Sequence, residues 1–227
     1  MPKITSGIVR FKTEIYPQKK ELFDQLSRGQ NPEALFITCS DSRVDPNLLV
    51  QTDPGELFII RNAGNIVPPF STTTGGTTAS IEYAVAVLGV KHVVICGHSE
   101  CGAMHGVLNP ELIKDLPHVR KWLSFSNTAL QIIQEKMPDL SSDKKLEMLI
   151  EENVLLQMRH LQTHAHVAAK LATKKIQLHG WTYNIGSGDV KAYDETKGCF
   201  VPVEDCYGDD VKAYIESQKK GNEGCCS

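Results

Sequence analysis

Two short apolar runs each end in a side chain that binds soft metals, and this coincidence restricts the fold more than any other feature. Leu35-Phe36-Ile37-Thr38 leads into Cys39, and Val93-Val94-Ile95-Cys96-Gly97 leads into His98, with Cys101 three residues further on. Short runs rich in Val, Ile and Phe that do not alternate with polar residues read as buried parallel strands. Glu56 to Arg61 and Ile176 to Ile185 extend the series, and helical patterns over Thr78 to Leu88, Pro110 to Met137 and Lys144 to Thr163 fall between the runs. The pattern predicts an α/β fold, with a mostly parallel central sheet of four to five strands flanked by helices. In an open sheet of this kind, sites form beyond the carboxyl ends of the strands. Cys39 and the His98-x-x-Cys101 pair are therefore expected to meet on one metal.

Two thiolates and an imidazole are the donors zinc prefers, and three protein ligands leave a fourth position open, as catalytic zinc requires. An H-x-x-C pair is common by chance, and a buried cysteine usually behaves as a small hydrophobe. Asp41 and Arg43, two and four residues after Cys39, sharpen the reading. A closed structural site would recruit a fourth Cys or His there rather than an acid–guanidinium pair. The predicted cofactor is Zn²⁺, held by Cys39, His98 and Cys101.

Charge and cysteine placement exclude other classes. A net charge of −3 gives no electrostatic reason to bind nucleic acid or an anionic membrane. No apolar run reaches membrane-spanning length and the first residues carry no signal pattern, so a cytoplasmic protein is expected. Of the seven cysteines, Cys96 reads as core, and Cys199 and Cys206 lie in a polar late segment with no assigned role. Cys225 and Cys226 end the chain as an oxidation-prone tail without a prenylation box. The Gly/Thr-rich stretch from Thr72 to Thr78 lacks the lysine and spacing of a phosphate-binding loop. Residues 1–30 read as an N-terminal helical arm, 31–205 as the zinc-binding core, and 206–227 as a C-terminal helix and tail. The arm carries an apolar stripe of Phe11, Ile15, Leu22, Phe23 and Leu26, broken near Pro17. That stripe has to be buried, either on its own core or on a second subunit.

The motifs resemble those of the β-class carbonic anhydrases. C-S-D-S-R-V-D-P (Cys39 to Pro46), P-G-E-L-F-I-I-R-N (Pro54 to Asn62), I-E-Y-A-V (Ile81 to Val85), C-G-H-S-E-C-G (Cys96 to Gly102) and H-G-W-T-Y (His179 to Tyr183) follow the family order. The resemblance implies a zinc lyase that interconverts CO₂ with bicarbonate and a proton, built as a homodimer or dimer of dimers. It implies that the arm packs on the partner, that Phe58 and Tyr83 wall the CO₂ site, and that Gln30 donates to a substrate oxygen from the neighbouring subunit. It also implies that Asp41 can occupy the fourth zinc position in an inactive form. Phe36 stands where many bicarbonate-inhibited bacterial relatives carry Trp, which together with Gln30, Phe58 and Tyr83 points to the plant-like branch. A carbon-fixing microcompartment or organelle is the other setting the resemblance leaves open.

The residue types suit that chemistry. A zinc-bound water loses its proton more easily, but two thiolates cancel the formal charge of Zn²⁺ and weaken the effect. An ionised Asp41, gripped by Arg43, can orient the resulting nucleophile. The backbone that opens the next helix at Gly102 is expected to favour both the Cys101 thiolate and an anionic product. His105, His164 and His166 are candidates for carrying the proton away, and none is singled out. The same ligands would serve hydrolysis of carbonyl sulfide or carbon disulfide. A non-catalytic zinc scaffold is a further alternative, although it has no use for Asp41, Arg43 and Gln30.

Overall fold

A computed structural model describes residues 1–71 and 74–223. The tail cysteines Cys225 and Cys226, and two residues of the Gly/Thr-rich stretch, lie outside that range. Six strands form a single sheet in the order β2-β1-β3-β4-β5-β6. They are β1 (Ala34–Cys39), β2 (Leu57–Asn62), β3 (His92–His98), β4 (Gln177–Tyr183), β5 (Val190–Asp194) and β6 (Cys199–Pro202). The first four pair in parallel, and β5 and β6 add antiparallel at one edge.

The four parallel strands are the four apolar runs. Two further strands, β5 and β6, bring the sheet to six rather than the four to five expected. Their signal was present in the sequence. Val190-Lys-Ala-Tyr-Asp alternates, Gly198 is left-handed (φ 68°) at the turn, and Cys199-Phe-Val-Pro follows. Each strand is short and only half-buried, which is why hydrophobic runs alone did not reveal it.

Both faces of the parallel sheet are covered, as its non-alternating strands require. On one face, Leu35, Ile37, Val93 and Ile95 pack with Ile81, Val85, Val154, Leu161 and Val167. The Ser142–Gln162 helix lies close against β3 and β4. Its approach depends on Gly97, where a Cβ would sit 3.0 Å from both Ile150 Cγ2 and Val154 Cγ2. On the other face Phe36, Val94 and Cys96 are buried beside Leu57, Ile59 and Trp181 of the neighbouring strands, with Leu49 and Val50 of the short Pro46–Val50 helix packed against them. Burial pushes the Cys96 thiol up to about 12, which makes it an inert core residue.

The arm comprises helices Pro2–Arg10 and Lys20–Leu26 joined by a widened turn, Phe11–Ile15, and a short piece, Tyr16–Gln18. The break expected near Pro17 falls at Lys19, which leaves helical geometry. None of the arm's residues in these elements is buried. Ile4, Ile8, Val9 and Phe11 are exposed, and Phe11, Tyr16 and Phe23 pack their rings on one another. Leu22, Phe23 and Leu26 are half-buried, with Leu26 close against Gly55, so the C-terminal part of the stripe rests on its own chain while the N-terminal half of the arm is left uncovered. Among the described residues, no helix is long and apolar enough to cross a membrane.

Candidate active site

Parallel pairing of β1 with β3, in which Thr38 faces Cys96, brings Cys39 and His98 to neighbouring carboxyl ends. The chain then turns through Ser99 and Glu100, the latter left-handed (φ 52°), and Cys101 caps the Gly102–Leu108 helix. Cys39, His98 and Cys101 are 5%, 0% and 1% exposed. Their ligand atoms all lie within 4.8 Å of one another, a group that could hold a metal ion. Ligand atoms on a tetrahedral zinc stand about 3.3–3.8 Å apart, so a small contraction suffices.

The imidazole is already oriented for such a bond. His98 Nδ1 lies 2.8 Å from the Ser99 carbonyl, which can only accept, so Nδ1 carries the proton and Nε2 presents its lone pair. His98 Nε2 is buried and has no hydrogen-bond partner. A buried imidazole nitrogen without a partner is costly unless something binds it. The two sulfurs share a proton: the hydrogen bond from Cys101 holds the Cys39 thiol well down against burial, while the pairing with Cys39 and burial drive Cys101 up. A divalent cation in place of that proton would satisfy both thiolates and the bare Nε2.

Asp41 sits at the rim, its side chain 17% exposed. Arg43 grips both carboxylate oxygens, with Nε 2.9 Å from Oδ1 and a terminal nitrogen 2.8 Å from Oδ2. The Arg43 backbone N–H also donates to Oδ1 at 3.0 Å. These hydrogen bonds hold the carboxyl well below the usual carboxylate range. Oδ2 is 3.8 Å from His98 Nε2, so the ionised carboxylate overlooks the cluster without joining it. Arg43 reaches across to the Glu100 carbonyl at 3.0 Å, tying the Cys39 loop to the Cys101 turn. Gly102 is exposed, with open space over its Cα.

Two residues not singled out from sequence complete the frame. Arg61, at the end of β2, donates to the carbonyls of Cys39 (3.1 Å) and Asp41 (2.6 Å) and fixes the loop between them. The Gly64 N–H points at the Cys39 sulfur, 3.4 Å away. Arg61 was legible as a cation ending the strand beside Cys39; the Gly64 contact had no sequence signal, because it is made by backbone. Phe36 is buried and packs edge-to-face on Trp181 at 6.0 Å.

Gln30, Phe58 and Tyr83 are not beside this cluster. Gln30 is exposed, four residues before β1 begins. Phe58 pairs with Leu35 at the amino end of the strands, and Tyr83 packs on it with ring centroids 6.1 Å apart. Cys39 lies at the opposite end of β1, four pairs along from Leu35 and so about 13 Å away. The three residues expected at the substrate thus occupy the other edge of the same subunit. His105 approaches Glu100 at 3.3 Å on the exposed surface, while His164 and His166 lie beyond the Ser142–Gln162 helix.

Relatives share this arrangement of chain. The carbonic anhydrase family model matches residues 34–190, from the first residue of β1 to the first of β5. A carbonic anhydrase of Synechococcus elongatus is 44% identical over 207 residues, covering 91% of this chain and 76% of the relative. One from Pseudomonas aeruginosa is 45% identical over 203 residues, covering 89% and 92%. Among solved structures, the β-carbonic anhydrase CcaA superposes with a TM-score of 0.87 at 41% identity, covering 89% of this chain and 98% of its own. Tetrameric β-carbonic anhydrases of Sordaria macrospora superpose at 0.75 with 30% identity, covering 88% and 97%. With its whole parallel sheet inside the family match, the chain belongs to the carbonic anhydrases, in the β class, and is an enzyme of that activity.

Proposed function

We propose that this carbonic anhydrase hydrates CO₂ reversibly with zinc held by Cys39, His98 and Cys101, in a site completed by a second copy of the chain. The observation that carries the zinc reading is the unpartnered, buried Nε2 of His98 facing two cysteine sulfurs. When bound, zinc supplies a Lewis acid that lets water lose its proton near working pH. Asp41 accepts a hydrogen bond from the attacking oxygen and sets the direction of its free lone pair toward the substrate carbon. Arg43 keeps that carboxylate ionised and holds it away from the metal ligands, and Phe36 in place of an indole donor supports the plant-like form of the site. Backbone at Gly102 faces the developing anion.

CO₂ is apolar, and its wall has to be apolar too. Phe58 and Tyr83 offer such a surface, with Gln30 as donor, but at the far edge of their own subunit. A second copy turned to bring that edge over the metal cluster supplies all three residues at once. The exposed apolar arm supports the same assembly, since Ile4, Ile8, Val9 and Phe11 have no cover within one chain. The tetramers of the Sordaria relatives fit a dimer of dimers. Family membership favours CO₂ over its sulfur analogues, and the Asp41–Arg43 pair would be idle in a scaffold.

Stopped-flow CO₂ hydration and metal analysis, run in parallel on zinc-loaded protein, test the proposal. Wild type should turn over with one zinc per chain, and Cys101→Ala should lose metal and activity together. Full zinc occupancy in Cys101→Ala would remove the ligand assignment.

A further inference from the structure

The mechanism leaves unused a buried polar chain beneath the metal cluster. Ser126, Asn153 and Gln157 are each at most 1% exposed. Ser126 Oγ and Gln157 Nε2 both donate to Asn153 Oδ1 at 2.8 Å. Such groups are costly to bury unless every partner is met; His160 Nδ1 lies 3.1 Å from Gln157 Oε1, and the other remaining partners lie on one loop, residues 62–67. Asn153 Nδ2 donates to the Gly64 carbonyl at 3.1 Å, and Gln157 Oε1 accepts from Val67 N at 2.9 Å. From the other side Trp122 Nε1 donates to the Ala63 carbonyl at 2.9 Å.

Those carbonyls belong to consecutive peptide units. The unit whose oxygen accepts from Trp122 is the one whose N–H, that of Gly64, donates to the Cys39 sulfur. The next unit is held through its oxygen by Asn153. Gly64 is left-handed (φ 81°), and a Cβ there would lie 3.0 Å from Met104 Cε and 3.1 Å from Ala103 Cβ. Only glycine combines that backbone with so close an approach to the helix that follows Cys101.

We propose that Trp122 and Asn153 are positioning residues for the metal centre, pinning two successive peptides so that the Gly64 N–H stays on the Cys39 sulfur. A peptide N–H aimed at a thiolate stabilises its lone pairs, and a donor on the carbonyl of the same peptide strengthens that bond by polarisation. Outer partners of this kind orient ligands and tune metal affinity. The inference rests on Cys39 being a metal ligand, and it adds what sets the character of that ligand.

The test replaces zinc by Co²⁺, whose thiolate charge-transfer absorption reports directly on the sulfur. Trp122→Phe keeps an aromatic ring without the donor, and Asn153→Ser shortens the side chain out of reach of Gly64. In each, the sulfur lone pairs lose stabilisation, so the charge-transfer band should move to lower energy. Zinc release to a chelator should quicken by about 10-fold or more. Ile133→Val, a truncation in the Asn127–Lys136 helix, controls for lost thermal stability and should change neither readout. If Trp122→Phe, and Asn153→Ser where it folds, melt earlier but keep the wild-type band and release rate, the two residues are merely structural and the proposal is overturned. A wild-type protein with no thiolate–cobalt band would instead overturn the ligand assignment, and the positioning role with it.

Discussion

Asp41 shows how one side chain acquires a role from its neighbours. A lone carboxylate at a strand end would be an ordinary solvated acid, but three hydrogen bonds from Arg43 fix its two oxygens. Because the folded carboxyl titrates below its unfolded value of about 3.9, the pair stabilises the fold above that pH. The contribution is lost as the pH falls further. Asp41→Asn keeps the shape and loses the charged acceptor. We expect metal content to stay at the wild-type level while kcat falls by about 10²-fold, measured by stopped flow beside metal analysis. A variant that kept wild-type kcat would remove Asp41 from the chemistry. At this scale the sequence was informative: residue type and strand-end position together pointed to Cys39, Asp41, Arg43, His98 and Cys101. It was silent on Gly64, whose contribution is a backbone N–H common to every residue but proline.

The C-terminal elements depend on a different cluster. The Val203–Glu223 helix lays Tyr207 against β4, where its hydroxyl accepts from Trp181 Nε1 at 3.2 Å and meets His179 Nδ1 at 3.0 Å. His179 Nε2 in turn lies 3.0 Å from His92 Nδ1. With both rings neutral, each donor in this chain meets an acceptor; an added proton on His179 Nδ1 would displace the Tyr207 O–H that donates to it. Burial, and then His92, push His179 down to about 4. Between about 6.5 and 4 the unfolded chain therefore binds a proton that the folded one refuses, and stability declines as pH falls through that window. The loss is on the order of 3 kcal/mol at most. Melting temperatures from pH 7 to 4.5 should fall more steeply for wild type than for His179→Gln. Equal slopes would show that this histidine does not set the acid response. The parallel strands and the long helices were legible because each carries a sustained apolar period. The β5–β6 edge was not, because its strands are short and half-buried, and this histidine pair was not, because its partners come from distant segments.

At the scale of the whole molecule, the sheet separates the two halves of the proposed site. Cys39, His98 and Cys101 stand at its carboxyl edge, and Gln30, Phe58 and Tyr83 near its amino edge, so the site proposed above needs two chains. On that arrangement, Gln30→Ala and Cys39→Ala should each disable every site in a homodimer. Mixed dimers of the two variants would carry both lesions in one site and neither in the other. Activity should then recover toward half of the wild-type value per mixed dimer after subunit exchange confirmed by mass spectrometry. Continued inactivity of verified heterodimers would return Gln30 to an ordinary loop role.

What the chain's own residues determined was local: which runs become parallel strands, where each ends, and which donor types stand at those ends. Strand geometry turns a short pattern directly into position, because alternation and length are properties of the segment itself. Tertiary structure alone decided which ends become neighbours, which peptide N–H meets the Cys39 sulfur, and which face of the arm is left bare. It also separated Phe58 from Cys39. Both belong to motifs of one family pattern, yet strand register sets them about 13 Å apart. Distances of that kind are set by register and packing between segments, which the one-dimensional order of residues does not encode segment by segment.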